Sequence, residues 1–178
     1  MAMGPITPAQ LDRLYPTVGA IVIYWGLIDL TITHIALRMF KVLQLQDAHH
    51  ALPTILSARL EVIKTNFKKN PALAKYKVDV LQVIGNIKEM QQLRDMIAHG
   101  AASGYDPKRD AIQFTRIDRL KPGQKRQAKS PTVSHQFNRM PVAFATLTET
   151  SDRALRINTF LDSLLKELER LSGVEREK

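Results

Sequence analysis

Apolar positions recur every three or four residues along most of this chain, the spacing that gathers side chains on one face of an α-helix. Ile21, Trp25, Ile28, Ile32, Ile35 and Met39 keep that rhythm and predict a helix over about residues 17–42. Just before it, "TPAQLDRLY" pairs a Thr cap with proline at a first helical position, which predicts a short helical turn of its own. A second helix is expected from about Pro53, with Leu56, Leu60, Ile63 and Phe67 facing inward. It should stop at Asn70, because a residue before proline is pushed out of the helical region. A third helix over about 72–99 carries Val80, Ile84, Ile87, Met90, Leu93 and Ile97, and Gly100 behind it predicts a left-handed cap. The last helix, over about 141–171, repeats Ile157, Leu161, Leu164, Leu168 and Leu171 at fours and threes.

Residues 103–140 break this rhythm. "SGYDPKRD" is turn chemistry. "AIQFTRI" alternates at Ile112 and Phe114, and "TVSHQF" alternates at Val133, His135 and Phe137. Both read as short strands of one hairpin, with the two phenylalanines inward. The connection "KPGQKRQAKSP" is long, polar and basic. No internal repeat and no second domain is visible. The expected fold is therefore all-α: a single domain over residues 1–178, an up-and-down four-helix bundle with a small basic β-hairpin (108–139) inserted between helices three and four.

Charge sharpens the picture. The 178 residues carry a formal net charge of +9, which favours a polyanionic partner. Residues 108–139 hold nine basic residues against two acids, a net +7, so the rest of the chain is close to neutral. Lys121, Lys125, Arg126 and Lys129 stand in the hairpin connection, where they would neutralise phosphates of an RNA backbone. Aromatic residues are sparse there, so a dedicated single-strand stacking surface is not expected. An acidic protein is the other occupant such a surface would suit. The chain has no cysteine, which excludes disulfides and thiolate metal sites. "MAMGPITPAQ" has no basic residue, unlike a secretory signal. The uncharged run over residues 14–28 stops at Asp29, too soon for a membrane span. A cytoplasmic protein that does not engage membranes is the expectation.

One stretch carries candidate chemistry. "LRDMIAHG", residues 93–100, puts Arg94, Asp95 and His99 at the end of the third helix. Cations suit a helix C-terminus, and Asp95 and His99 lie four apart on one face, so an ordinary helix end explains them too. The chemical reading is RNA cleavage. Histidine moves protons near neutral pH. An Arg fork holds phosphate oxygens. A carboxylate fixes the imidazole tautomer, the role Asp95 would take. Arg94 and His99 are five residues apart, about 140° around an ideal helix. One copy would not easily aim both at one phosphate, whereas two copies about a twofold axis would.

This arrangement, Arg94 followed by a polar residue and His99 within "AHG" at the end of a long helix, resembles the HEPN superfamily. These are small helical-bundle proteins, many of them metal-independent ribonucleases of toxin–antitoxin, abortive-infection and CRISPR-type defence systems. Others only bind RNA, nucleotides or partners. The resemblance implies Arg94 and His99 as the catalytic pair and Asp95 as the polar orienter. It also implies a homodimer with the motif at its interface, no cofactor or metal, and an antitoxin partner in the toxin branch. Family members most often carry Asn after the Arg, with Asp a common variant. One branch places Tyr two residues after the His, and Ala101 stands there in this chain.

Other residues have two readings each. Asp29, beside the apolar stripe of the first helix, would either brace Arg94 or cap a core hydrogen-bond network. "DAHH" offers Asp47, His49 and His50 as metal ligands or as an ordinary solvated loop. His34 and His135 read as packed or half-exposed positions, with RNA contact the second option for His135.

Overall fold

A reciprocal capping box starts the first helix. Gln10 N–H donates to Thr7 Oγ1 at 3.4 Å while Thr7 N–H donates to Gln10 Oε1 at 2.8 Å. Helix α1 then runs unbroken over Pro8–Val42, so the separate turn expected before residue 17 is its own first part. Pro16 lies inside α1. It and Asp12, whose carbonyl loses its donor, are both exposed, so water can take that carbonyl. The computed structural model describes residues 3–42, 52–119 and 135–171, and the side chains of 40–42, 119 and 135–136 lie outside that description.

Beyond α1 come α2 (Leu56–Lys69), a 3-10 helix (Pro71–Tyr76) and α3 (Lys77–His99). Strands β1 (Ala101–Asp106), β2 (Ala111–Arg119) and β3 (His135–Ala143) follow, and then α4 (Phe144–Leu171). Asn70 ends α2 in an extended conformation, as the proline after it requires, and its side chain accepts from Ala72 N–H at 2.9 Å to open the 3-10 turn. The third helix therefore begins at Lys77 rather than near residue 72.

The chain divides into two compact units, and α1, α3 and α4 contribute residues to both. One comprises Ile23–Met90 and Asp152–Lys178 and is helical among its described residues. Its core joins Trp25, Ile28, Ile32, Ile35 and Met39 of α1 to Leu60, Ile63 and Phe67 of α2, Val80, Ile84, Ile87 and Met90 of α3, and Ile157, Leu161, Leu164 and Leu168 of α4. The three-and-four stripes read from the sequence are thus the buried faces. Leu171, expected in the seam, is exposed. On its other side α1 leaves Ile23, Leu27, Leu30 and Leu37 to solvent. By length and composition α1 would also cross a membrane.

The other unit comprises Met1–Val22 and Gln91–Ser151. It overturns the all-α expectation. A three-stranded antiparallel sheet in the order β1-β2-β3 follows α3. With its own buried core it makes the fold α+β, not an up-and-down bundle with an appended hairpin. That core is Ile112 and Phe114 of β2, Val142 of β3, Leu14 and Ile21 of α1, Met96 and Ile97 of α3, and Phe144 and Leu147 of α4. Strand β1 was hidden because "AASGYD" is built of small residues, with a register shift between Ala102 and Gly104. The expected start of the last helix at about residue 141 falls instead within a strand, and the helix begins at Phe144. Pro141 is in β3, at the edge of the sheet, where strands tolerate proline. The connection at 120–134, with Lys121, Lys125, Arg126 and Lys129 of the basic hairpin, lies outside the described residues.

Candidate functional site

Met96 and Ile97 are buried in the core of the sheet-bearing unit and anchor the last turns of α3. The same turns carry Arg94, Asp95 and His99 on their open sides. His99 is exposed, and the Arg94 and Asp95 side chains keep about a third of their surface (35% and 32%). Arg94 Nη1 donates to Asp95 Oδ1 at 2.9 Å. The expected Asp95–His99 contact is not formed: among the described residues Asp95 accepts from Arg94 and makes no hydrogen bond to His99. Arg94 thus sits against a carboxylate that would compete with a phosphate for its fork, while His99 is open to solvent at the helix end.

Gly100 follows directly, and it is not a left-handed cap, since its φ lies outside that region. Its N–H closes the helix on the Met96 carbonyl at 2.8 Å. A Cβ at this position would stand 2.4 Å from Met96 O and 3.3 Å from Thr115 O. Glycine is required by close backbone approach where α3 turns into β1.

A polar knot fixes the far end of the same sheet. Asp110, in the turn between β1 and β2, holds a positive φ of 44°, a conformation Asp tolerates better than most residues. Its carboxylate accepts from Arg13 Nη2 at 2.8 Å, Arg13 Nη1 at 3.2 Å and the Tyr105 hydroxyl at 2.8 Å. Its carbonyl accepts from Phe144 N–H at 2.9 Å, and the Arg13 guanidinium lies 4.0 Å over the Phe144 ring. The Arg13 guanidinium, then the Tyr105 hydroxyl, holds the Asp110 carboxyl below its ordinary value. Arg13 carried no signal in the sequence, because its partner is a turn residue far along the chain.

The remaining sequence candidates either have partners of their own or lie outside the described residues. Lys121, Lys125, Arg126 and Lys129, and Asp47, His49 and His50, are outside the described residues. Asp29, read as a brace for Arg94 or a cap on a core network, pairs within the helical unit. It accepts from Arg59 Nη2 at 2.7 Å, and Arg59 also donates to Thr33, a network within the helical unit. His34 is exposed on α1. Arg116 pairs with Asp118 at 2.8 Å, and its hydrogen bond to the Asp118 carboxyl lowers that group below its usual range. Among the described residues no three His, Asp or Glu side chains cluster as metal ligands do.

Sequence reading also misplaced Phe137. Phe114 is buried, but Phe137 is 63% exposed, opposite Ile117 in the β2–β3 register. Strand parity carried the signal. Phe137 is an odd number of residues from the inward Val142, as Ile117 is from Phe114, so both belong to the opposite face.

Comparison with protein-family models, curated proteins and solved structures gives no match to this chain, so the HEPN resemblance rests on the residues quoted for it alone.

Proposed function

We propose that this protein is an RNA-cleaving enzyme of the HEPN type, acting as a homodimer in the cytoplasm. The observation that carries the reading is the end of α3, where Arg94, Asp95 and His99 all reach solvent on a turn pinned by buried Met96 and Ile97. In the dimer, two such ends face one scissile phosphate. One His99 takes the proton of the 2′-hydroxyl as its oxygen attacks phosphorus. The other gives a proton to the 5′-oxygen as the P–O5′ bond breaks. The products are a 2′,3′-cyclic phosphate and a free 5′-hydroxyl, and Arg94 offsets the charge that builds on the phosphorane oxygens. The exposed apolar residues Ile23, Leu27, Leu30 and Leu37, with His34 among them, offer area for association with a second copy.

A second reading has its own support. The Arg94–Asp95 ion pair holds the guanidinium that would serve the phosphorane, as fits a module that binds RNA, or an acidic protein partner, without cutting. One experiment separates them: incubation of labelled RNA in EDTA with wild type and with His99→Ala. Cleavage by wild type alone, leaving cyclic phosphate ends, is expected of the enzyme. Intact RNA with both proteins, and binding retained, would discard the enzyme in favour of the module.

A further inference from the structure

The face of the sheet turned away from its core is partly apolar and carries an exposed arginine. Register places Gln113, Thr115 and Ile117 of β2 against Pro141, Arg139 and Phe137 of β3 on that face. The inward residues Ile112, Phe114 and Val142 alternate with them. Ile117 and Phe137 form a directly opposed pair, 59% and 63% exposed. Such cross-strand pairs normally stabilise a sheet under cover, yet the described residues leave this one open.

The surroundings state what would cover it. Arg139 is exposed at the neighbouring register pair, two residues from Phe137 along β3 and one strand from Thr115. Arg116 lies on the other face of β2, where it pairs with Asp118. An open aromatic ring beside an exposed arginine is the pairing that recognises an unstacked base together with its phosphate. A duplex hides its base faces, so the ligand is single-stranded.

We propose that the outer face of this sheet is a stacking platform for single-stranded RNA. One base lies on the Phe137 ring with Ile117 beside it, and Arg139 takes an adjoining phosphate. The choice of RNA rests on the function proposed above. The platform itself rests on the sheet alone and does not need the chain to cleave.

The test uses the full chain and a fluorescein-labelled 2′-O-methyl RNA dodecamer, which lacks the attacking hydroxyl and so survives whether or not the protein is a nuclease. Affinity is read by anisotropy across a salt series. Phe137→Ala should weaken binding at least about fivefold, the lower end of what one lost stack costs, without altering the salt slope. Phe137→Leu should weaken it comparably, because an aliphatic side chain keeps apolar area but offers no ring. Arg139→Gln should reduce the slope of log affinity against log salt by about one. Phe137→Trp should bind and be quenched by the oligonucleotide, a signal separable from the buried Trp25. Several results would overturn the platform: no single-strand binding by wild type, full affinity in Phe137→Ala, or affinity kept by Phe137→Leu. Equal, Phe137-dependent binding of duplex RNA would overturn it as well. Equal, Phe137-dependent binding of single-stranded DNA would overturn the assignment to RNA.

Discussion

Replacing Gly100 tests the turn that presents His99. Two physical accounts of this glycine make opposite predictions. A left-handed cap would tolerate Asn better than Ala, because Asn visits that conformation more readily. Close approach forbids any Cβ, so Asn would be no better than Ala. The structure supports the second: a Cβ would lie 2.4 Å from Met96 O, 3.3 Å from Thr115 O and 3.4 Å from Met96 Sδ. The thioether can swing aside, but the two carbonyls belong to the last turn of α3 and to β2. Relief requires breaking the 2.8 Å Gly100–Met96 hydrogen bond, worth about 1 kcal/mol. The alternative is to push β1 from β2, with an overpacking cost of about 1–3 kcal/mol. A small gain from restricting the unfolded chain, under about 1 kcal/mol, offsets part of this. The expected net loss is about 2 kcal/mol for Gly100→Ala, with Gly100→Asn at least as damaging. Urea unfolding followed by circular dichroism should show a midpoint lower by about 1 M, taking a slope of about 2 kcal/mol/M. Gly85→Ala is the internal control. Gly85 lies within α3, its added Cβ would meet nothing within 4 Å, and the midpoint should rise by a few tenths molar. An unchanged or raised midpoint for Gly100→Ala, or a clear rescue by Asn, would refute close approach as the reason for this glycine.

Two further predictions probe charge. Asp110 has a folded-state pKa below its unfolded value, so its contribution is fully present above the ordinary carboxylate pKa of about 4 and is lost as pH falls through the lower folded value. Asp110→Asn, which keeps the tolerance for positive φ, should be less stable than wild type to urea at pH 7, and the gap should narrow steadily between pH 5 and pH 2. A gap constant with pH would mean that the Arg13 pairing does not carry the effect. Asp95→Asn removes the carboxylate that holds Arg94, and affinity for the uncleavable oligonucleotide should rise two- to tenfold, about what one exposed like-charge contact is worth. Unchanged affinity would place Arg94 outside the RNA path.

The helical unit was legible because its signal is local. Each apolar stripe repeats within one element, so Ile28, Ile63, Ile87 and Ile157 could be assigned inward positions without knowing what they meet. The sheet was less legible because its information is divided among strands. β2 announces itself by alternation at Ile112 and Phe114. β1 has small residues and a register shift in place of alternation, and β3 contains a proline that reads equally well as a helix start. Only pairing with β2 makes either a strand, and pairing joins residues far apart in the sequence.

The candidate site divides along the same line. Arg94, Asp95 and His99 were visible together because one helix turn carries them. Their mutual contacts were not, since Asp95 can turn to the residue beside it or to the one four ahead. A guanidinium next door is a strong attractor, because its charge-assisted hydrogen bonds to a carboxylate are short and strong. That choice alters the chemistry available. A carboxylate committed to Arg94 does not fix the tautomer of His99, so the proton transfer proposed for His99 would be organised by something other than Asp95. Phe137 makes the complementary point. Its face could be read only by counting parity from Val142 across the proline, and an odd count turns an inward core residue into an open ring beside Arg139. On the proposed function, cleavage would depend on what completes the end of α3, whereas the proposed binding by the sheet would need no second copy, so single substitutions at His99 and at Phe137 should separate the two.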